Sequence, residues 1–265
     1  MIYKLRTSLI EHLILAVMKK RFIIKVKAVV ALLTFSILFV SCRKDDLDID
    51  PITFNPSVTY GSLTDQEGNI YKTVTIGNQT WMAENLKTTR YRNGDPIQYV
   101  ADSAQWRGLI TGGYCYYDNN KQYVATYGCL YNWYAVNDSR NLAPSGWHVP
   151  TDTEWATLNN SLGGEDVASD KLKEVGTTHW RYFNGATNES GFTALPGGGR
   201  GFNGYWAGLA FKTHYRNLGS DCYLWTSTEY SSTVGYSIWV WNGSPVFGRY
   251  KLRKYYGISV RCIKD

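Results

Sequence analysis

The chain has 265 residues and a formal net charge of +6, from 28 basic and 22 acidic residues. Seven of the basic residues and one of the acidic residues lie in residues 1–41, so residues 42–265 carry 21 of each. The positive charge belongs to the N-terminal segment, and the balanced remainder gives no support to a nucleic-acid-binding function.

The N-terminal segment has the pattern of a secretory signal. From Met18, the predicted initiator, a basic stretch precedes an apolar run at residues 28–40. This run has 13 residues, whereas a membrane-spanning helix needs about 20. Ser41 and Cys42 then resemble a bacterial lipobox, in which lipid is attached to the cysteine. We therefore predict that residues 1–41 are a signal peptide and that Cys42 is lipidated.

Residues 42–60 are predicted to form a disordered tether. The stretch "RKDDLDID" follows Cys42, and a short charged segment of this kind cannot bury enough surface to fold. It is similar to the Lys-plus-acidic tract behind the lipidated cysteine of surface-exported lipoproteins of Bacteroidetes. We expect an outer membrane lipoprotein exposed at the cell surface, with a periplasm-facing location as the alternative.

The folded domain is predicted to comprise residues 61–265. Its first part, "GNIYKTVTIGNQTWMAENL", indicates two strands around a turn at residues 77–78, because polar and apolar side chains alternate over residues 73–76. Residues 87–125 are rich in Gly, Tyr, Asp and Asn and are predicted to be irregular.

Two helices are predicted in the middle of the chain. Residues 127–136, "YGCLYNWYAV", place apolar side chains at helical spacing. Residues 151–164, "TDTEWATLNNSLGG", carry an apolar stripe of Trp155, Leu158 and Leu162 before a terminating pair of glycines.

The second helix begins in "SGWHVPTDTEW", where His148, Asp152 and Glu154 could act as metal ligands or as an acid–base group. Thr151 followed by Glu154 forms a capping box, in which each side chain bonds a free amide of the other residue. Asp152 lies in the first turn, where the helix dipole favours an anion. We therefore interpret Thr151 and Glu154 as helix-cap scaffold, and we predict no catalytic residue, no metal site and no cofactor.

The last third of the chain is predicted to be rich in strands. Short β-branched and aromatic runs, "YLWTSTEY", "YSIWVWN", "PVFGRYK" and "GISVRCIKD", are separated by turns. "GGGR" at residues 197–200 lacks the residues of a phosphate loop and is interpreted as a tight loop. Strands, then helices, then strands indicate an α+β fold. Apart from Cys42 there are four cysteines, which in an exported protein predict two disulfides with three possible pairings.

Seven ordered motifs resemble the Fibrobacter succinogenes major paralogous domain over residues 68–265: "TVTIGNQTWMAENLKT", "YGCLYNWYAV", "APSGWHVPTDTEWATLNNSLGG", "KLKEVGTTHW", "TNESGFTALPGGGR", "LWTSTEYSS" and "YGISVRCIKD". More distantly, "GWHVPTDTEW", "WTSTEY" and "GISVRCIKD" are similar to segments of formylglycine-generating, sulfatase-modifying proteins. The resemblance implies a surface or secreted protein with a single C-type-lectin-like domain, built from short helices, twisted antiparallel strands and long irregular loops.

The resemblance also bears on the disulfides. Related sequences carry cysteines matching Cys115 and Cys262, which leaves Cys129 to pair with Cys222. A lectin-like architecture instead ties the first helix to the last strand and implies a Cys129–Cys262 bond. The family match is position by position, so we expect Cys115–Cys262 and Cys129–Cys222.

The function that this resemblance implies is a non-enzymatic binding or adhesion module for a polysaccharide or a surface protein. Tyr205, Trp206, Trp239 and Trp241 lie in the later loops and strands and could stack on sugar rings. The alternative for Trp239 and Trp241 is burial in the core, since residues two apart in a strand share a face.

Two further alternatives are a structural surface domain without a small-molecule site and a formylglycine-generating oxidase. The oxidase needs a reactive pair of late cysteines, and the sequence around Cys222 and Cys262 does not match that segment. The Glu-Pro-Asn and Gln-Pro-Asp signatures of calcium lectins are absent from the sequence.

Overall fold

A computed structural model describes residues 49–182, 185–201 and 215–265. All of these residues belong to one compact unit. Its strands are β1 (Gly61–Thr64), β2 (Ile70–Ile76), β3 (Gln79–Met82), β4 (Gln98–Tyr99), β5 (Gly113–Cys115), β6 (Leu130–Tyr131), β7 (Trp147–His148), β8 (Gly197–Arg200), β9 (Tyr215–Leu218), β10 (Asp221–Ser231), β11 (Val234–Trp241), β12 (Gly248–Arg253) and β13 (Ile263–Lys264).

The helices are short and lie between the early and the late strands. They are α1 (Ser103–Gly108), α2 (Val124–Tyr127), α3 (Trp133–Val136), α4 (Asp152–Ser161) and α5 (Ala168–Leu172). Two 3-10 turns, Tyr117–Asn119 and Lys121–Tyr123, precede α2.

The strands form three sheets. The first sheet has the order β1-β2-β3-β13-β7, so that the last strand pairs with an early one. The second has the order β12-β11-β10-β8-β9, and the third the order β4-β5-β6. Pairing is antiparallel except between β4 and β5 and between β8 and β10. Short helices with mainly antiparallel sheets give the α+β class that the sequence predicts.

The hydrophobic core consists of three clusters of buried side chains. The first contains Trp133 and Trp225, the second Trp81 and Trp155, and the third Trp106. The Trp81 and Trp155 rings lie 4.6 Å apart and join the first sheet to α4. Each buried tryptophan removes a large apolar area from water and so contributes strongly to the stability of such a core.

Residues 127–136 do not form the single helix that the apolar spacing predicts. Leu130 belongs to β6 and pairs with Cys115 of β5. The helix α3 begins only after Asn132, whose side chain accepts a hydrogen bond from the Ala135 amide. This N-cap satisfies a free amide of the helix and fixes the start of α3 behind the strand.

Two other segments are more ordered than the sequence indicates. Residues 87–125, predicted to be irregular, include α1, β4, β5 and both 3-10 turns. In residues 49–60, assigned to the tether, Phe54, Val58 and Tyr60 pack against the second core cluster. Their apolar side chains gain more from this burial than a charged tether could, so the ordered unit begins before Gly61.

The "GGGR" segment is the strand β8 rather than a tight loop. All four of its residues are buried, and β8 pairs with both β9 and β10. Gly198 has a φ of 60°, a left-handed backbone conformation that favours glycine, so this feature expected of a tight loop occurs at one position within the strand.

The two predicted disulfides, Cys115–Cys262 and Cys129–Cys222, are not present in this structure, where all four cysteines are buried thiols. Cys115 belongs to the third core cluster, Cys129 and Cys262 to the first, and Cys222 to the second. Each predicted pair therefore joins cysteines from different clusters.

Candidate functional site: an aromatic face on the second sheet

Strand alternation sorts the side chains of β11 onto two faces. Ile238 and Val240 are buried in the second core cluster, whereas Trp239 and Trp241 lie on the opposite face and are half-buried. Successive side chains of a strand point to opposite sides of its sheet, so burying one set places both tryptophans away from that cluster.

Neighbouring strands add two tyrosines to this face. The Tyr223 ring of β10 is stacked on that of Trp239, with centroids 6.5 Å apart and planes inclined by 21°. The Tyr250 ring of β12 meets Trp239 edge to face at 5.0 Å, and Trp241 lies 5.6 Å from Trp239. We call Tyr223, Trp239, Trp241 and Tyr250 the aromatic face.

Two glycines allow the tryptophan rings to lie against the backbone. A Cβ atom at Gly243 would lie 2.4 Å from the Trp241 ring, and one at Gly248 would lie 2.9 Å from the Trp239 ring. Because real Cβ contacts are longer than this, a side chain at either position would displace the ring beside it. The rings of Trp241 and Trp239 can therefore pack against the backbone at Gly243 and Gly248 because these two residues have no side chain.

Asp221 fixes the orientation of the central ring. Its carboxylate accepts a hydrogen bond from Trp239 Nε1 and another from the Ser220 hydroxyl. Burial raises the pKa of the Asp221 carboxyl, although the hydrogen bonds from Trp239, Ser220 and Tyr223 act in the opposite direction. Holding an indole N–H in this way reduces the rotamer freedom that a ligand would otherwise have to restrict.

A buried lysine anchors the turn that follows β11. Lys173 Nζ donates to the Trp241 carbonyl at 3.3 Å and to the Ser244 carbonyl at 3.1 Å, and forms an ion pair with Asp170 at 2.7 Å. Burial lowers the pKa of Lys173, and Asp170 opposes that shift. The turn beside Trp241 is therefore held by a packed side chain rather than left to solvent.

The structure brings together only part of the predicted ligand site. Trp239 and Trp241 are adjacent and partly buried, on the face of β11 opposite Ile238 and Val240 of the second core cluster. Tyr205 and Trp206 lie outside the described residues, as does Cys42. Sequence reasoning missed Tyr223 and Tyr250, as well as Asp221. The alternation of "YL" places Tyr223 on the face opposite the buried Leu224, whereas Tyr250 shares its face with Leu252, and the pairing register was needed to bring both tyrosines to Trp239.

The "SGWHVPTDTEW" stretch has a structural arrangement. Thr151 Oγ1 accepts from the Glu154 amide at 3.3 Å, and the Glu154 carboxylate accepts from the Thr151 amide at 2.8 Å, which completes the capping box. His148 lies 2.8 Å from Glu154 through Nε2 and 2.7 Å from Asp265 through Nδ1. Both ring nitrogens of His148 are therefore engaged by carboxylates of the same domain.

Two further properties bear on the kind of site. Within residues 49–182, 185–201 and 215–265, no group of three or more His, Cys, Asp or Glu side chains is placed to hold a metal ion. In the same part of the chain, no helix is long and apolar enough to cross a membrane.

Fold and site together define an α+β domain with a cluster of aromatic side chains on one face of its second sheet. The chain belongs to the family described as the Fibrobacter succinogenes major domain, whose model matches residues 74–264. The match covers all three sheets except β1 and the start of β2. No curated protein and no solved structure matches the chain significantly.

Proposed function

We propose that this protein is a lectin-like binding module whose aromatic face contacts a glycan. The observation that carries the proposal is the cluster of four half-buried or exposed rings on one sheet face, seated on glycines and oriented by Asp221. Flat aromatic rings pair well with the apolar faces of sugars. Rings that are already ordered lose little entropy when a ligand binds, which favours affinity.

A C-type-lectin-like architecture is part of this proposal. Support comes from the pairing of β13 with β3, which puts an early and a late strand side by side, and from the short helices between them. Long stretches outside helices and strands, such as residues 185–196, are also consistent with it.

We further propose that the domain is displayed on the cell surface through lipid on Cys42, with a periplasm-facing location as the alternative. The basic and apolar pattern ending at Cys42 supports an exported lipoprotein. In cells fed labelled fatty acid, Cys42→Ala should abolish incorporation and release the protein from the membrane. Labelling of that variant at the wild-type level would contradict the lipoprotein assignment.

A non-enzymatic role is supported by how the chain uses its ionisable groups. His148 and Glu154 serve the helix start, and the buried His179–Glu174 pair bonds the backbone at Asp50 and Thr53. The oxidase alternative requires two reactive cysteines in one site, whereas Cys222 and Cys262 are buried in different core clusters.

Glycan-array binding of the full chain in detergent tests the proposed function. We expect Trp239→Ala and Tyr250→Ala to lose binding. Tyr182→Ala is a matched control, because Tyr182 is 64% exposed, Tyr250 is 43% exposed, and Tyr182 lies outside the aromatic face. Trp206→Ala tests the remaining part of the predicted site. If no polysaccharide binds the wild-type protein, the alternative of a structural or protein-binding surface domain is favoured.

A further inference from the structure

The strand β12 carries a row of cations on the face opposite Tyr250. Arg249, Lys251 and Arg253 are all exposed and alternate with Tyr250 and Leu252. Because a strand rises about 3.3 Å per residue, their Cα atoms follow one another at roughly 7 Å intervals. Among the residues that the structure describes, β12 pairs with β11 alone and lies at the end of the second sheet. We call these three cations the basic edge.

Two of the cations rest on aromatic rings. The Arg249 guanidinium lies 3.8 Å from the centroid of Tyr236, and Lys251 Nζ lies 3.9 Å from that of Tyr230. The two tyrosines contact each other edge to face at 5.3 Å. Cation–π contacts position long side chains that would otherwise be mobile, so less rotamer entropy remains to be lost on binding an anion.

The positive charge of the basic edge is only partly neutralised. Arg249 is paired with Asp152, and the nearby Lys254 is paired with Glu229. Neither Lys251 nor Arg253 has an acidic partner within the described parts of the chain. Two adjacent cations on a rigid strand thus remain available to a negatively charged ligand.

We propose that the basic edge binds a linear acidic polysaccharide through Lys251 and Arg253, with Arg249 at the end of the row. The cations form a line along one strand, which suits a chain with repeating carboxylate or sulfate groups. A flat anionic membrane would also meet the acidic side chains of Asp152 and Glu229 beside the row, and these would repel it. The ligand class rests on the proposed glycan-binding function, but the surface is distinct from the aromatic face.

Binding of polygalacturonate by the full chain in detergent tests this inference. We expect Lys251→Gln/Arg253→Gln to weaken binding at low salt by roughly tenfold or more, the factor that 1.4 kcal/mol represents. Raising the salt concentration should reduce wild-type binding more than binding by the double variant, because exposed charges are screened. Lys121→Gln/Lys264→Gln removes the same charge from two other exposed lysines and should bind like the wild type.

Equal weakening in both double variants would show a general charge effect and would overturn the proposal. The proposal would also be overturned if the wild type bound vesicles of anionic phospholipid as tightly as polygalacturonate and this binding depended on Lys251 and Arg253, because the basic edge would then be a membrane-binding surface.

Binding of an uncharged glucan separates this inference from the proposed function. Trp239→Ala should lose the glucan and keep polygalacturonate, whereas Lys251→Gln/Arg253→Gln should do the reverse. If the wild type bound the glucan but not polygalacturonate, only the proposal for the basic edge would be contradicted, and the proposed function of the aromatic face would stand.

Discussion

His148 links three parts of the chain through a single imidazole ring. Its two nitrogens contact Asp265 and Glu154, and both contacts can be hydrogen bonds donated by nitrogen only in the charged form. Partial burial acts against that form, but the hydrogen bonds and negative charges of Asp265 and Glu154 outweigh it and raise the pKa of His148. Burial acts to raise the pKa of Glu154, but the hydrogen bonds from the Thr151 amide, His148 and the Thr151 hydroxyl outweigh it and lower that pKa.

These shifts predict a pH dependence of stability. A raised histidine pKa contributes stability below the unfolded value of 6.5 that is lost as pH rises through the folded pKa. A lowered glutamate pKa contributes stability above 4.5 that is lost as pH falls through the folded pKa. The contribution of the pair should therefore be greatest between these two values. NMR titration should give His148 a pKa above 6.5, and Asp265→Asn should lower it; an unchanged value in that variant would refute the contact.

The cysteines provide a second prediction for individual residues. Burial raises the pKa of Cys129 and of Cys222 to about 12, and that of Cys262 is raised for the same reason. Because the thiolate is the reactive form, we expect Cys115, Cys129, Cys222 and Cys262 to resist a thiol reagent at pH 8 in the native protein. All four should react in denaturant without prior reduction. Reaction only after reduction would instead establish the disulfides that the family resemblance implies.

Among the elements, α4 is the one whose start is most directly encoded in the sequence. Thr151→Ala should lower the free energy of unfolding by about 0.5–2 kcal/mol, because the variant loses the N-cap of this helix. Thr153→Ala is the matched control, since Thr153 is exposed in the first turn and its side chain has no capping role. Urea unfolding of both variants checks this prediction, and equal midpoints would argue against a stabilising cap.

The elements that could be predicted are those specified by neighbouring residues. The capping box fixes α4, and alternation of apolar side chains locates β10 and β11. The prediction of a single helix at residues 127–136 was wrong. The apolar spacing of this segment suits a helix, but Leu130 pairs with β5, a strand that lies elsewhere in the sequence. The aromatic face was found only in part for the same reason: Trp239 was visible in the sequence, but the strand register that brings Tyr223 and Tyr250 to it was not.

For the whole molecule, the segment before β1 is part of the fold. The Thr53 amide donates to the buried Glu174 carboxylate at 2.6 Å, across 121 positions of sequence. The other oxygen of Glu174 contacts His179, whose second nitrogen bonds the Asp50 carbonyl at 2.9 Å. Contacts over such distances leave no local signal, which is why the sequence indicated a tether here.

A chain beginning at Gly61 should therefore be less stable than one beginning at Ile49. The shorter chain lacks the Thr53 amide, which bonds the buried Glu174 carboxylate, and leaving such a buried group unsatisfied costs about 1–3 kcal/mol. It also lacks the packing of Phe54 and Val58 against the second core cluster. Denaturant midpoints of the two chains measure the difference. Identical midpoints would mean that residues 49–60 contribute nothing to folding.

The position of β13 has a consequence for how the protein acquires its structure. This strand lies between β3 and β7, and the Cys262 amide bonds Met82 Sδ across 180 positions of sequence. Domains dominated by such distant contacts fold slowly. Until the segment around residue 263 has emerged from the ribosome, β3 is an open strand edge that invites pairing with another chain. Assembly of the first sheet must therefore wait for nearly the entire domain, and a chaperone that shields β3 in the meantime would protect it from aggregation.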